Sequence, residues 1–250
     1  MKIKAETVLE LPEGLPALPP TQDQLESSDG EPMETEFHVW QMHLLIRPLV
    51  SHFAREPVYA AGNMFVYFSP EQVKTEHFKG PDVFVGKGVS KEMRKSWVVW
   101  QEGKGPDVVI ELLSDSTCRQ DQTHKKEIYE KRLRVPEYFW FHPTQPELFA
   151  GFHLVDGHYQ PIEPDSQGRL VSRQLDLLLV PWMGRHPLAQ EPRFWLRWAV
   201  LEGSLLPTEE EQATEAIQLA EQERQKAQLE HQRVQALEAK LRALGIDPKI

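Results

Sequence analysis

Two acidic residues inside apolar runs are the strongest chemical signal in this chain. Asp82 opens the run PDVFV, and Glu111 lies in the middle of the run PDVVIELL. Burying a carboxylate in an apolar strand costs free energy unless its charge is compensated. On adjacent strands, side chains of one face lie about 5 Å apart, close enough for two carboxylates to share a divalent cation. The pattern therefore predicts a metal site that can activate water, with a lysine nearby.

A backbone oxygen can complete the protein ligands of this predicted site. The carbonyl of Leu112, next to Glu111, supplies the hard oxygen that Mg²⁺ or Mn²⁺ accepts. The ten histidines are scattered without a metal-binding spacing, and the single cysteine, Cys118, excludes a Cys-rich zinc site. Two carboxylates and one carbonyl thus remain as the predicted metal ligands, with water and substrate phosphate in the other positions.

The order of these features resembles the PD-(D/E)XK nuclease superfamily and is most similar to its Uma-type restriction-endonuclease-like family. The resemblance rests on PDVVIELLSDST, on the VPEYFWF segment and on AGNMFVYF and LRALGIDP at its two sides. It implies a mixed β-sheet flanked by helices, an α+β fold, and Mg²⁺-dependent hydrolysis of DNA phosphodiester bonds. It also implies a C-terminal helical tail, which is common in the family.

The resemblance also assigns the catalytic lysine. The superfamily usually places it two residues after the second acid, where this chain has Leu113. In the Uma-type family it comes from the following helix, in a pattern that Asp121, Lys125 and Tyr129 match. Lys125 would then orient the attacking water and offset phosphate charge. Lys126 is the competing candidate and would point about 100° away on a helix.

Several further residues have roles that the sequence leaves open. Glu34 or Glu36, before the first helix, could add a third acid, as happens elsewhere in the superfamily. Asp107 is either a structural turn residue or a support for the site, and Glu111 alone could be a core acid paired with Arg134. His142 stands where the family usually has aspartate.

The charge distribution bears on the partner. The net charge is −10, from 38 acidic and 28 basic residues. The two ends of the chain, 1–40 and 207–250, together hold 18 of the acids and 8 of the bases. The middle of the chain, 41–206, therefore holds 20 acids and 20 bases. A neutral domain predicts weak, non-specific affinity for DNA. The candidate DNA contacts are four residues of one basic loop: Lys87, Lys91, Arg94 and Lys95. A loop that is only solvated, without a DNA contact, is an equally good interpretation.

The chain divides into three parts by composition. Residues 1–36 are a proline-rich, extended lead-in, 37–206 the nuclease-like domain, and 207–250 a helical tail after Pro207. Within the domain, 40–53 is a helix that Pro48 should kink or divide. Residues 80–105 look like a pair of strands joined by the basic loop, and Asp156-Gly157 predicts a hairpin.

The tail has a partial heptad pattern. Its seam is apolar at the C-terminal end, but glutamates occupy two d positions, Glu223 and Glu230. A solvated lone helix and a self-associating helix, which would make a homo-oligomer, both fit this pattern. A non-catalytic, nuclease-like scaffold that acts through this helix is therefore the alternative to a nuclease. No membrane-spanning run or signal peptide is visible, which favours the bacterial cytoplasm.

Overall fold

A mixed six-stranded β-sheet flanked by helices forms the centre of the computed structural model, which is the α+β class that the sequence predicted. The structure describes residues 20–21, 23–24, 35–69, 78–114 and 121–245, so Glu34 and Cys118 lie outside the described residues. The chain forms two compact units, Met1–Leu205 and Leu206–Ile250. None of the helices in these described ranges combines the length and apolarity that crossing a bilayer requires.

The elements of the first unit follow one another closely along the chain. Its helices are α1 (Glu36–His52), α2 (Val99–Glu102) and α3 (residues 121–133). Its strands are β1 (Val58–Ala61), β2 (Val66–Tyr67), β3 (Phe78–Lys79), β4 (Val83–Lys87), β5 (Trp97–Val98), β6 (Val108–Leu112), β7 (Glu137–Phe141), β8 (Phe149–Val155), β9 (His158–Pro161), β10 (Leu170–Ser172), β11 (Leu177–Gly184) and β12 (Arg193–Val200).

The strand order of the main sheet places β6 near its centre. The order is β1-β4-β6-β7-β8-β9, with β6 and β7 parallel and the other neighbours antiparallel. A parallel pair needs a crossover connection, and α3 supplies it between β6 and β7. All five residues of β6 are buried, including Glu111. The connection therefore carries α3 back over the strand that holds the central acid.

Two smaller sheets complete the first unit. Strands β10, β11 and β12 form one antiparallel sheet, and β3, β2 and β5 form the other. The side chain of Gln41 in α1 bonds both the amide and the carbonyl of Leu196 in β12, at 2.8 and 2.7 Å. The indole of Trp198 donates to the carbonyl of Leu45 at 3.1 Å. These bonds hold α1 against β12.

The two strands predicted within residues 80–105 are present but belong to different sheets. β4 belongs to the six-stranded sheet, whereas β5 pairs with β2 in a different sheet. Trp97 of β5 instead packs on Gly86 of β4, where an added Cβ would lie 2.4 Å from the indole ring. Burial of this large aromatic side chain against a glycine favours stacking of the two strands over edge-to-edge pairing.

The first helix begins earlier than predicted and is not divided at Pro48. α1 begins at Glu36, after an N-cap in which the Thr35 hydroxyl accepts from the amide of His38, and it continues through Pro48 to His52. Proline costs a helix about 3 kcal/mol through the lost hydrogen bond. Pro48 and its neighbours Leu45 and Leu49 are buried, so packing of this face offsets that cost.

The second unit is dominated by one long helix, α4 (Glu209–Ala243). Its N-terminus has a capping box, in which Thr208 and Glu211 bond each other's backbone amides. Gly245 follows the helix with a φ of 78°, a left-handed conformation that glycine adopts readily. No residue of this fully described helix is buried within the chain. Its stability as a monomer therefore rests on capping and helix propensity.

Removal of residues 208–250 is expected to change the melting temperature of the remaining chain by no more than about 2 °C. The reason is that α4 buries no side chain, and deletion of exposed surface changes stability little. Differential scanning calorimetry of the full and shortened chains measures this. A much larger fall in melting temperature would show that α4 packs on the first unit in solution.

Candidate active site

Asp82 and Glu111 lie at the point where β4 meets β6. In the antiparallel register Val83 lies opposite Ile110, and one further step along this register places Asp82 opposite Glu111. β4 begins only after Asp82, whose carboxylate Oδ2 accepts a hydrogen bond from the amide of Leu112 at 2.7 Å. Asp82 is thus fixed against the backbone of the strand that carries Glu111.

Glu111 is the buried centre of the site, with a relative exposure of 0%. The ammonium group of Lys125 donates to Oε2 at 3.0 Å, and the hydroxyl of Tyr129 donates to Oε1 at 2.7 Å. Burial raises the pKa of Glu111 to about 7, a shift that the charge of Lys125 opposes and the charge of Asp82 increases. A cation placed beside Glu111 would favour its ionised form.

The helix α3 positions both donors to Glu111. Lys125 and Tyr129 are four residues apart and project from the same side of the helix. Each lies in a π-helical turn, Asp121–Lys125 or Tyr129–Leu133, and such turns are frequent at functional sites. Burial raises the pKa of Tyr129 well above its usual value, so its hydroxyl remains a hydrogen-bond donor. The sequence showed the spacing of Tyr129 but not this contact.

The two adjacent lysines of α3 point to different surroundings. Lys125 reaches Glu111, whereas the ammonium of Lys126 lies 3.5 Å from the ring centre of Phe152 and 5.7 Å from that of Trp140. Burial lowers the pKa of Lys126. The alternative partner for Glu111, Arg134, does not donate to it in the described contacts; it is exposed at the end of α3 with a φ of 50°.

A third lysine belongs to the electrostatic surroundings of this site. Lys79 of β3 is half-buried, and burial lowers its pKa, with a further lowering from the charge of Lys125. The charge of Glu111 acts on Lys79 in the opposite direction. Sequence reasoning missed Lys79, although it lies only three residues before Asp82. Its position adds positive charge beside Lys125.

His38 of α1 is a second residue that sequence reasoning missed. Its Nε2 lies 3.1 Å from the carbonyl oxygen of Leu112, and its Nδ1 lies 2.9 Å from the hydroxyl of Thr35. The ring is buried. A polar residue on the inward face of an amphipathic helix was the available signal, but 74 residues separate His38 from Leu112.

Of the accessory acids, the two within the described residues, Glu36 and Asp107, make no contact with Glu111 among the hydrogen bonds of the site. Glu36 is exposed in the first turn of α1. Asp107 accepts from the ammonium of Lys104 at 2.6 and 2.8 Å and from the amide of Lys87 at 2.6 Å. Of the two readings of Asp107, these contacts support the structural one, because they fix the entry to β6.

Arg94 of the basic loop is used within the protein. Its guanidinium donates to both carboxylate oxygens of Glu102, at 2.6 and 2.9 Å, and lies 4.5 Å from the ring centre of Tyr59. Only 6% of its side chain is exposed. The contacts do not support Arg94 as a DNA contact, since a charge pattern along the sequence does not distinguish a solvated arginine from a packed one.

The three lysines of the basic loop also have intramolecular contacts. Lys87 donates to the carbonyl of Gln174, and Lys91 donates to two carbonyls just after α1 at 2.6 and 2.9 Å. Lys95 pairs with Asp23 at 2.8 Å, with 62% of its side chain exposed. Exposed ion pairs are weak, so Lys95 is the member of this loop that a phosphate could reach most easily.

A cavity of about 730 Å³ opens at the start of α1. Its walls come from the start of α1, the ends of β6 and β7 and the segment before β12, and they include His38, Ser114, His142 and Arg193. His142 is buried, and its Nδ1 accepts from the amide of Thr144 at 3.3 Å. His38 lines the cavity and contacts Leu112, but Asp82, Glu111 and Lys125 are not among the cavity's walls.

The donor set of this site suits a hard divalent cation. Asp82, Glu111 and the carbonyl of Leu112 are all oxygen donors, as Mg²⁺ and Mn²⁺ require. In the described residues no three His, Cys, Asp or Glu side chains surround a common point. The metal site of two carboxylates and a main-chain carbonyl stays a prediction.

Comparisons with known proteins point to a nuclease family. The family model described as "Uma2: Putative restriction endonuclease" matches residues 6–181. A solved structure from Anabaena variabilis, described as "a putative nuclease belonging to DUF820", is similar with 16% identity and a TM-score of 0.43, over 63% of this chain and 91% of that chain. No curated protein matches the chain.

Proposed function

We propose that this chain, which belongs to the Uma2 family, is a divalent-metal-dependent nuclease that hydrolyses phosphodiester bonds of DNA. The family match covers most of the chain and includes Asp82 and Glu111. Lys125 lies in the same matched range. The proposal assigns the chemistry to these three residues.

The observation that carries the proposal is the environment of Glu111. A fully buried carboxylate with a raised pKa is costly to keep in a core. Glu111 has one ammonium and one hydroxyl donor, and it also faces the carboxylate of Asp82. Two neighbouring carboxylates, one of them fully buried, support a site built for a cation.

Asp82, Glu111 and the Leu112 carbonyl would hold Mg²⁺ or Mn²⁺. When bound, such an ion supplies Lewis-acid polarisation of phosphate and a more acidic water. The residues of the chain contribute by holding their positions before the substrate arrives. Tyr129 fixes Oε1 of Glu111, and the Leu112 amide fixes Oδ2 of Asp82, so little reorganisation is needed.

Lys125 has the position of a catalytic cation. Its ammonium is held 3.0 Å from Glu111, and 18% of its side chain is exposed. It can therefore contact both the carboxylate and a phosphate group that enters the site. There it would orient the attacking water and offset the negative charge that develops on the phosphate. Lys79 adds positive charge nearby.

DNA is the proposed partner, with weak binding. Residues 41–206 carry 20 acids and 20 bases, and all four basic-loop residues donate to groups within the chain. Few phosphate contacts give a shallow dependence of affinity on salt and low non-specific affinity. Cleavage would then depend on the site more than on tight binding.

Replacement of Lys125 with alanine is expected to lower Mg²⁺-dependent nicking of a plasmid at least about 100-fold. At pH 8, binding of Mg²⁺ should survive, because Lys125 is not a ligand and its removal takes a positive charge from the site. Nicking assays and thermal-shift titrations with Mg²⁺ measure the two effects.

Lys126→Ala is the matched control, since Lys126 is adjacent but packs on Phe152. It should nick DNA at the wild-type rate. Normal cleavage by Lys125→Ala would show that another cation performs this role.

A nuclease-like scaffold is the second candidate, and the exposed apolar side chains of α4 favour it. Those of Val234, Leu237 and Leu241 are 43, 52 and 36% exposed and follow a heptad spacing that could pair with a second copy. Sedimentation equilibrium of the full and shortened chains tests this pairing. Absence of both cleavage and Mg²⁺ stabilisation in the wild type would leave the scaffold as the better description.

A further inference from the structure

We propose that His38 is a positioning residue that orients the Leu112 carbonyl toward the cation site. The inference rests on the proposed function, because it concerns how the chain prepares that site. It adds a residue from α1, far from the acidic motif in sequence. The contact is direct: Nε2 of His38 lies 3.1 Å from the Leu112 oxygen.

The tautomer of His38 follows from its partners. A carbonyl oxygen only accepts hydrogen bonds, so Nε2 must carry the proton that it shares with Leu112. In the neutral ring Nδ1 is then an acceptor, and the hydroxyl of Thr35, 2.9 Å away, donates to it. Thr35 is also the N-cap of α1. The ring is therefore held from the helix terminus and directed at the end of β6.

The peptide unit after Leu112 is held at both of its polar groups. Its carbonyl accepts from His38, and its amide, that of Leu113, donates to the carbonyl of Phe141 in β7 at 2.8 Å. The preceding amide, that of Leu112, donates to Asp82. Bonds with His38 in α1, with Phe141 in β7 and with Asp82 thus fix the backbone where the proposed ligand oxygen lies.

This anchoring matters because a carbonyl oxygen has two lone pairs. The bond from His38 uses one of them and, together with the bond from the Leu113 amide to Phe141, holds the plane of the peptide. The second lone pair remains for a cation. Groups that orient metal ligands in this way commonly change metal affinity 10- to 100-fold when they are removed. His38 is buried and in contact with a proposed ligand, so it meets the structural conditions for such an effect.

The test compares Mg²⁺ and Mn²⁺ binding by full-length variants of His38, measured by isothermal titration calorimetry. His38→Gln keeps an N–H donor at the reach of Nε2. His38→Asn keeps a similar polar group that is too short to reach Leu112, and His38→Leu removes the donor. We expect wild-type affinity for the glutamine variant and at least about tenfold weaker binding for the other two.

His43→Ala is the control, because His43 is exposed on the same helix. Thermal melting without metal separates positioning from folding: the glutamine and asparagine variants should melt cooperatively at similar temperatures yet differ in metal affinity. If the leucine variant does not fold, the comparison of the glutamine and asparagine variants alone tests the inference. Wild-type affinity in His38→Asn, or equally weak binding in His38→Gln, would overturn the inference. Absence of metal binding in the wild type would instead overturn the proposed function, and the inference with it.

Discussion

Glu111→Gln and Asp82→Asn are each expected to lower Mg²⁺-dependent DNA cleavage at least about 100-fold. Each substitution removes one negative charge and one proposed cation ligand while keeping the size of the side chain. Asparagine at position 82 can still accept from the Leu112 amide, the bond that holds Asp82 at 2.7 Å. The metal-free variants should therefore remain folded. Plasmid nicking with and without Mg²⁺ measures the loss, and thermal shift measures the loss of metal stabilisation.

Asp107→Asn serves as the control for this pair. Asp107 is an acid at the start of the same strand, but it pairs with Lys104. Its substitution should leave the Mg²⁺ response and the cleavage rate within about twofold of the wild type. Full cleavage by either Glu111→Gln or Asp82→Asn would contradict the proposed site, whatever the control shows.

The central part of this site could be predicted because its signal is local. An acid inside an apolar strand stands out in sequence, and Glu111 lies in a strand whose five residues are all buried. Lys125 was predicted through its place in a family pattern, and it does lie 3.0 Å from Glu111. The helix that carries it and the parallel strand after it follow from the need for a crossover between β6 and β7.

The contacts of His38 and Lys79 could not be predicted in the same way. His38 reaches Leu112 across 74 residues of sequence, and Lys79 is known to be near Glu111 only once β3 is placed. Hydrophobic periodicity indicates which side of a helix or strand is buried, but not which other element packs against that side. Such contacts depend on tertiary packing and leave no spacing in the sequence.

The basic loop shows what a charge pattern leaves open. A run with four positive charges suggested a surface for DNA, yet Arg94 pairs with Glu102 and is almost completely covered. The residues that bury it, Tyr59 and Trp97, come from two different strands, with ring centres 4.5 and 5.3 Å from the guanidinium. For a related reason the sequence did not show that the two strands within 80–105 lie in different sheets, where Trp97 of one packs on Gly86 of the other.

The stability of the wild type relative to Glu111→Gln should depend strongly on pH. Burial raises the pKa of Glu111 to about 7, above the ordinary value of 4.5. Between these values the folded state binds more protons than the unfolded state, so stability falls as pH rises. The contribution of protonated Glu111 to the free energy of unfolding is fully present below pH 4.5, and it is lost as the pH rises through 7. The shift from 4.5 to about 7 corresponds to about 3 kcal/mol.

Glutamine cannot ionise, so Glu111→Gln lacks this pH dependence. The difference in unfolding free energy between the two proteins should move by about 3 kcal/mol in favour of the variant between pH 4.5 and pH 8. Urea unfolding of the wild type and of Glu111→Gln, without metal and at a series of pH values, measures this difference. Glu137→Gln, on the neighbouring strand, provides the comparison with a second buried acid. Mg²⁺ should reverse the trend in the wild type at pH 8, because a bound cation stabilises ionised Glu111. A gap that stays constant with pH would mean that Glu111 is ionised throughout and that Lys125 alone compensates its charge.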